Sequence, residues 1–231
     1  MTSSNSQSGN ILIYILGAIF LMGLLVLALK GSSSPGSGID EESLLIRVSE
    51  VQNYGNELER AVRYVIANGY SQSDVRFAHP DAAAGYGVIT DDPERQVFAR
   101  EGGAAQYREP PNGIQVTATP WIFNGRNVVN GVGTTGTTNT NVDLVALLMN
   151  VTKNFCVAIN EKNDIPNTAG DPPRDQTDVE YTTLFTGAYS RVHHIAQSSG
   201  TDMFGHTEGC FEGGGDPANG TYHYYRVLLA R

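Results

Sequence analysis

The residues with the strongest claim to chemistry are a glycine-rich run, five histidines and an Asn/Asp-rich stretch. Gly131-Val132-Gly133-Thr134-Thr135-Gly136 has the spacing GxGxxG. In dinucleotide-binding proteins that spacing turns a buried strand straight into a helix whose N-terminus holds a pyrophosphate. Here the preceding Asn-Val-Val-Asn is short and polar, and no strand–helix–strand repeat surrounds it, so the run reads as a Gly/Thr loop. The histidines are His79, His193, His194, His206 and His223. Adjacent His193 and His194 point to different sides of any regular element, so one metal ion is hard for both to reach. His206 and Cys210 have a ligand spacing, but no second pair joins them. Asn160 to Asp178 offers oxygen ligands for calcium, yet it lacks the glycine and glutamate offsets of an EF-hand loop. Neither GxxxxGK[ST] nor GxSxG occurs, and carboxylates such as Glu57 and Glu59 read as a solvated helix face. The expectation is no catalytic residue, no metal site and no cofactor. Asn150-Val151-Thr152 and Asn219-Gly220-Thr221 fit the glycosylation sequon.

Covalent chemistry has one further candidate. Cys156 and Cys210 are the only cysteines, and an even count is what a single disulfide needs. Closing a loop of about 54 residues would stabilise the fold by about 4 kcal/mol in the chain-entropy picture. The segment between them, with Ile-Pro-Asn-Thr-Ala-Gly-Asp-Pro-Pro at 165–173, is turn-rich and weakly apolar, so it has use for such a tie. Two unrelated buried thiols are the alternative. A disulfide would place this part of the chain in an oxidising compartment.

The elements that would position these residues begin with Ile11 to Leu29, nineteen residues without a charge. As a helix they span about 28 Å, close to the thickness of a bilayer's hydrocarbon core. A lone spanning segment must satisfy its own backbone, so a transmembrane helix is expected. A secretory signal would have a basic n-region, which Met1 to Asn10 lacks. The chain therefore divides into a short N-terminal segment (1–10), the helix (11–29), a Gly/Ser linker (30–39) and a globular domain (40–231). All 24 acidic residues and 14 of the 15 basic ones lie beyond Lys30, which makes that part net −10 and argues against a nucleic-acid partner. Lys30, the only basic residue near the membrane, would place the domain in the cytoplasm. The cysteines favour the opposite side.

Within the domain, Asp40 to Asn68 reads as an amphipathic helix with Leu44, Val48, Val51, Leu58, Val62 and Val65 on one face, Gly55 in the missing slot, and Asn68-Gly69 as the stop. Residues 70–112 are irregular. Strands are expected at Ile114 to Thr119, Trp121 to Phe123 and Val128 to Val132, with Asn124-Gly125 as a hairpin turn. A second helix is expected from about Val142 to Lys162, capped by Thr140 or Asn141. Tyr222 to Leu229 reads as a final strand.

This order of parts resembles type IV pilins and the pseudopilins of type II secretion: a glycine near the N-terminus, an apolar helix, an amphipathic helix, a variable loop, a sheet and a late cysteine pair. The resemblance implies an α+β fold in which the amphipathic helix packs on an antiparallel sheet. It implies a Cys156–Cys210 disulfide bounding residues 157–209. It also implies leader cleavage between Gly9 and Asn10, which puts Tyr14 at the fifth mature position, where the family has Glu. The implied function is structural, as a subunit of a pilus-like or pseudopilus filament. Its partners would be copies of itself or other pilin-like subunits, meeting through Ile11 to Leu29, with lipid around the helix before assembly. Gly17, Ala18 and Gly23 would permit close helix approach. The implied location is the inner membrane, with the domain outside the cytoplasm, and the cell surface on assembly. The competing expectation is a single-pass anchored domain that binds a ligand and forms no filament.

Overall fold

The computed structural model of the chain describes residues 13–22, 37–134, 141–191, 193–195 and 202–231. It separates into two compact units, Met1–Ser43 and Leu44–Arg231. In the first, residues 13–22 form helix α1, and its apolar side chains, Tyr14, Leu16 and Phe20 among them, are exposed. Among the described residues no helix is long and apolar enough to cross a membrane. Gly9, Asn10, Ile11, Gly23, Leu29 and most of the expected linker lie outside the described residues. Of the expected membrane segment, only the stretch containing Tyr14 and Gly17 is described.

The second unit is α+β. Helix α2 spans Ser37–Ala67. Five strands follow, β1 (Ile122–Val129), β2 (Asp143–Val151), β3 (His193–Ile195), β4 (Glu208–Glu212) and β5 (Tyr222–Leu229), with helix α3 (Lys153–Lys162) directly after β2. The sheet order is β3-β1-β2-β5-β4. The wholly antiparallel sheet expected from the sequence is corrected to a mixed one, because β3 pairs parallel with β1 at Asn127, Val128 and Val129. A parallel neighbour needs a long crossover. The chain between β1 and β3 supplies it by building β2 and α3 first.

Both faces of the sheet are buried. Along β2, Leu144, Ala146 and Leu148 join the core under α2, while Val145, Leu147 and Met149 join a second core on the opposite face. Along β5, Tyr224 and Leu228 face α2, and Tyr225 and Val227 face away. The expected α2 register holds: Val48, Val51, Leu58, Val62 and Val65 are buried. Gly55 takes its slot because a Cβ there would sit 3.3 Å from Arg226 Cγ and 3.5 Å from the Tyr224 hydroxyl. The irregular segment 70–112 adds Val75, Phe77, Tyr86, Val97 and Tyr107 to the α2 core. Phe77 stacks on Phe123 of β1 with ring centroids 4.1 Å apart. Gln96 pins this segment by accepting from Ala78 N at 3.0 Å and donating to Asp91 O at 2.8 Å.

Two element assignments are corrected. The helix expected over Val142 to Lys162 is β2 followed by α3. A strand buried on both faces carries apolar side chains at nearly every position, and Asp-Leu-Val-Ala-Leu-Leu-Met-Asn-Val therefore lacks the alternation that marks a half-buried strand. The cap is Thr152, whose hydroxyl accepts from Phe155 N, rather than Thr140 or Asn141. The hairpin at Asn124-Gly125 does not form, and β1 runs straight through it. Asn124 accepts from Arg126 N at 2.8 Å beside a register shift, and Gly125 is small because a Cβ would meet the Phe185 ring at 2.6 Å. Of the other expected strands, Ile114 to Thr119 contributes only one bridge, between Gln115 and Val151.

Candidate functional site

Cys156 on α3 and Cys210 on β4 form the expected disulfide, fully buried beneath α2. Asn160, one turn along α3, reinforces it. Its amide donates to Cys210 O and accepts from Cys210 N, both at 2.9 Å, as a neighbouring strand would. The bridge bounds residues 157–209, and Ile165, Val179, Tyr181 and Met203 of that segment cover the face of the sheet remote from α2.

Next to the disulfide, α2 is fastened to β4 and β5 by a network that includes Glu59, which the sequence reads as part of a solvated helix face. Arg226 donates to Glu208 at 3.0 Å, to Glu59 at 2.9 Å and to Asn56 at 2.7 Å. Tyr224 donates to the second Glu208 oxygen at 2.6 Å, and Gln52 reaches the first at 3.3 Å. Burial opposes the Arg226 charge, but its carboxylate partners outweigh burial and raise its pKa. The same balance holds the Glu59 carboxyl below its ordinary value. The legible signal was Arg226 alone in the apolar strand Tyr-His-Tyr-Tyr-Arg-Val-Leu-Leu, since a charge there needs a buried partner.

The histidines are dispersed. His79 stacks on Tyr107 with centroids 4.8 Å apart. His194 meets Asn130 at 3.3 Å. His206 sits in a turn before β4, four residues from a cysteine already committed to the disulfide. His223 is buried between Asn150 N and the Thr221 hydroxyl. Among the described residues no group of three or more His, Cys, Asp or Glu is placed to hold a metal. In the Asn/Asp-rich stretch, Asn160 and Asn167 spend their amides on each other and on backbone. The described part of the glycine-rich run, up to Thr134, leaves β1 in a turn against other backbone, Gly131 on Gly205 and Gly133 on Arg231.

A concave surface lies along the segment 107–121 and reaches α2. A groove of about 320 Å³ is lined by Asp81, Tyr107, Glu109, Pro111, Gln115 and Thr119 among others. A neighbouring lobe of about 280 Å³ is lined by Glu50, Tyr54, Arg108 and Trp121, and the two share Glu109 and Pro111. Against known protein families, curated proteins and solved structures, the chain finds no match.

Proposed function

We propose that this chain is a structural subunit of a pilus-like or pseudopilus filament, assembling through Ile11 to Leu29. The observation that supports this reading is the seat of α2. An amphipathic helix, following an apolar segment in the chain, lies on the sheet and is tied to it through Arg226, beside a disulfide that bounds residues 157–209. The physics of such a subunit is assembly. Each apolar CH₂ withdrawn from lipid into water costs about 0.8 kcal/mol, so the anchor can leave the bilayer only into another apolar environment. Neighbouring anchors in a filament core supply one.

The reading is tested by intact mass and N-terminal sequencing of the native protein, together with its recovery from sheared cell-surface material. A chain that starts at Asn10, carries the disulfide and is found in filaments is the expected result. A chain that keeps Met1 or Thr2 and stays monomeric in the membrane fraction would overturn it. That outcome would favour a single-pass anchored binding domain, for which the two-lobed groove beside Tyr107 is the supporting observation.

A further inference from the structure

The two glycosylation sequons have opposite surroundings. Asn150-Val151-Thr152 runs from the end of β2 to the cap of α3. Asn150 is half-buried; its N–H donates to His223 Nδ1 at 3.3 Å and its carbonyl accepts from Val116 N at 2.8 Å. Val151 is 1% exposed and pairs with Tyr222 of β5. The Thr152 hydroxyl is spent on Phe155 N. Presenting this triplet to an enzyme means opening the β2–β5 pairing and uncapping α3.

Asn219-Gly220-Thr221 lies instead in the turn between β4 and β5, and Ala218, Asn219 and Gly220 are all exposed. A Cβ built on Gly220 would meet nothing within 4 Å. The triplet is held by local bonds only, from Gly220 N to the Glu212 carboxylate at 2.9 Å and from Thr221 N to Ala218 O at 3.2 Å. Arg174 donates to Asn219 Oδ1 at 2.7 Å. The atom that Arg174 uses is thus not the one a sugar is joined to, which is Nδ2. A glycosylated amide keeps its carbonyl oxygen, so the Arg174 bond outlasts the modification.

A second observation bears on the same site. The Cys156–Cys210 disulfide forms and lasts in an oxidising compartment, and sequons in surface loops of secreted proteins are glycosylated on that side of the membrane. We propose that Asn219 carries an N-linked glycan and that Asn150 does not. The reaction joins Asn219 Nδ2 to the anomeric carbon of an oligosaccharide carried on a lipid phosphate. The bond from that carbon to the phosphate oxygen breaks, the lipid phosphate leaves with the electron pair, and Nδ2 gives up one proton. Nothing is oxidised or reduced. The proposal holds for a filament subunit and for an anchored monomer alike.

The test is peptide mapping of the full chain, reduced and alkylated after purification from the cells that make it. Trypsin separates the two sequons, since residues 127–153 carry Asn150 and residues 192–226 carry Asn219. The 192–226 peptide is expected to show a mass excess that fragments by loss of successive sugar residues, the last held on Asn219. The 127–153 peptide is expected at its sequence mass. Thr221→Ala should abolish the excess although Asn219 is kept, and Thr221→Ser should retain it. Asn219→Gln, a change at an exposed side chain, should abolish it as well. An unmodified 192–226 peptide as the sole form overturns the proposal, as does Asn219 converted only to aspartate. An excess that survives both Thr221→Ala and Asn219→Gln marks a sugar on another residue and overturns it too. So does a glycan on the 127–153 peptide.

Discussion

The two faces of the sheet are stabilised by different means. The face under α2 is closed by α2 and α3 together with the irregular segment 70–112. Val48, Val51, Leu58, Val62 and Val65 meet Phe123, Leu148 and Tyr224, and the buried charges there are gathered into one network around Arg226 and Glu208. On the opposite face, Ile165, Val179 and Met203 lie outside the sheet and its helices, and parts of the backbone around them are bonded by side chains of the sheet. Buried asparagine amides take that task. Asn127 accepts from Glu180 N at 2.9 Å and donates to Glu180 O at 2.7 Å, and Asn124 donates to Thr183 O at 2.7 Å. A helix brings its own hydrogen bonds to a core, whereas a loop must borrow them.

The largest test of the contrast is removal of the disulfide. Cys156→Ala with Cys210→Ala frees a loop of 54 residues and is expected to cost about 4 kcal/mol. Urea denaturation followed by Trp121 fluorescence reads the loss. Hydrogen exchange should rise first at Val179 to Thr183, because that segment covers the loop-closed face. Exchange rising first in α2 instead would break the division into two faces.

Next in size is Glu208→Gln. Glu208 and Arg226 are 5% and 12% exposed at their side chains, and removing one partner of a buried pair strands the other at a cost of about 3 kcal/mol. The double change Glu208→Leu with Arg226→Met is expected to recover most of that loss, since an apolar replacement has no charge to desolvate. A double variant no more stable than Glu208→Gln would mean that the network does more than balance its own burial. On the other face, Asn127→Leu leaves the Glu180 N–H and C=O without partners, at a cost of about 2 kcal/mol. An unchanged denaturation midpoint would show that this loop closes the face by apolar contact alone.

How far the sequence could be read follows the same division. The helix-closed face was legible because α2 repeats its apolar positions at helical spacing and because Tyr222 to Leu229 is dense in aromatic and β-branched residues. The Cys156–Cys210 pairing was legible from an even count. What failed lies where burial on both faces removes periodicity: β2 read as helix because Leu144 to Met149 has no polar beat. Asn124-Gly125 has the composition of a turn, but its glycine answers to the Phe185 ring and its asparagine to Thr183. Those partners are about 60 residues away, beyond the reach of any local pattern. The Tyr107–Trp121 groove likewise joins residues from three segments and has no spacing signature of its own.

The smallest expected effect is a cancellation on the loop-closed face. Burial raises the Asp143 carboxyl to about 6, against hydrogen bonds from Val129 N and Arg231 N that favour its charge. Burial lowers His223 to about 4. Both groups are at most 1% exposed. As pH falls from 6 toward 4, the folded chain takes up a proton at Asp143 that the unfolded chain does not, and stability rises by about 3 kcal/mol. As pH falls from 6.5 toward 4, the unfolded chain takes up a proton at the His223 position that the folded chain refuses, and stability drops by about the same amount. The carboxyls of Glu59, Asp74 and Glu180 are depressed, so their contributions are lost only as pH falls further. His194, also held below its ordinary value chiefly by burial, adds a further loss in the same window, so the parent chain should show only a shallow fall in denaturation midpoint between pH 6.5 and 4.5. His223→Gln should uncover a rise in stability toward acid and Asp143→Asn a fall. Parallel profiles for the two variants would mean that these groups do not titrate against each other, and that the loop-closed face carries no opposed pair.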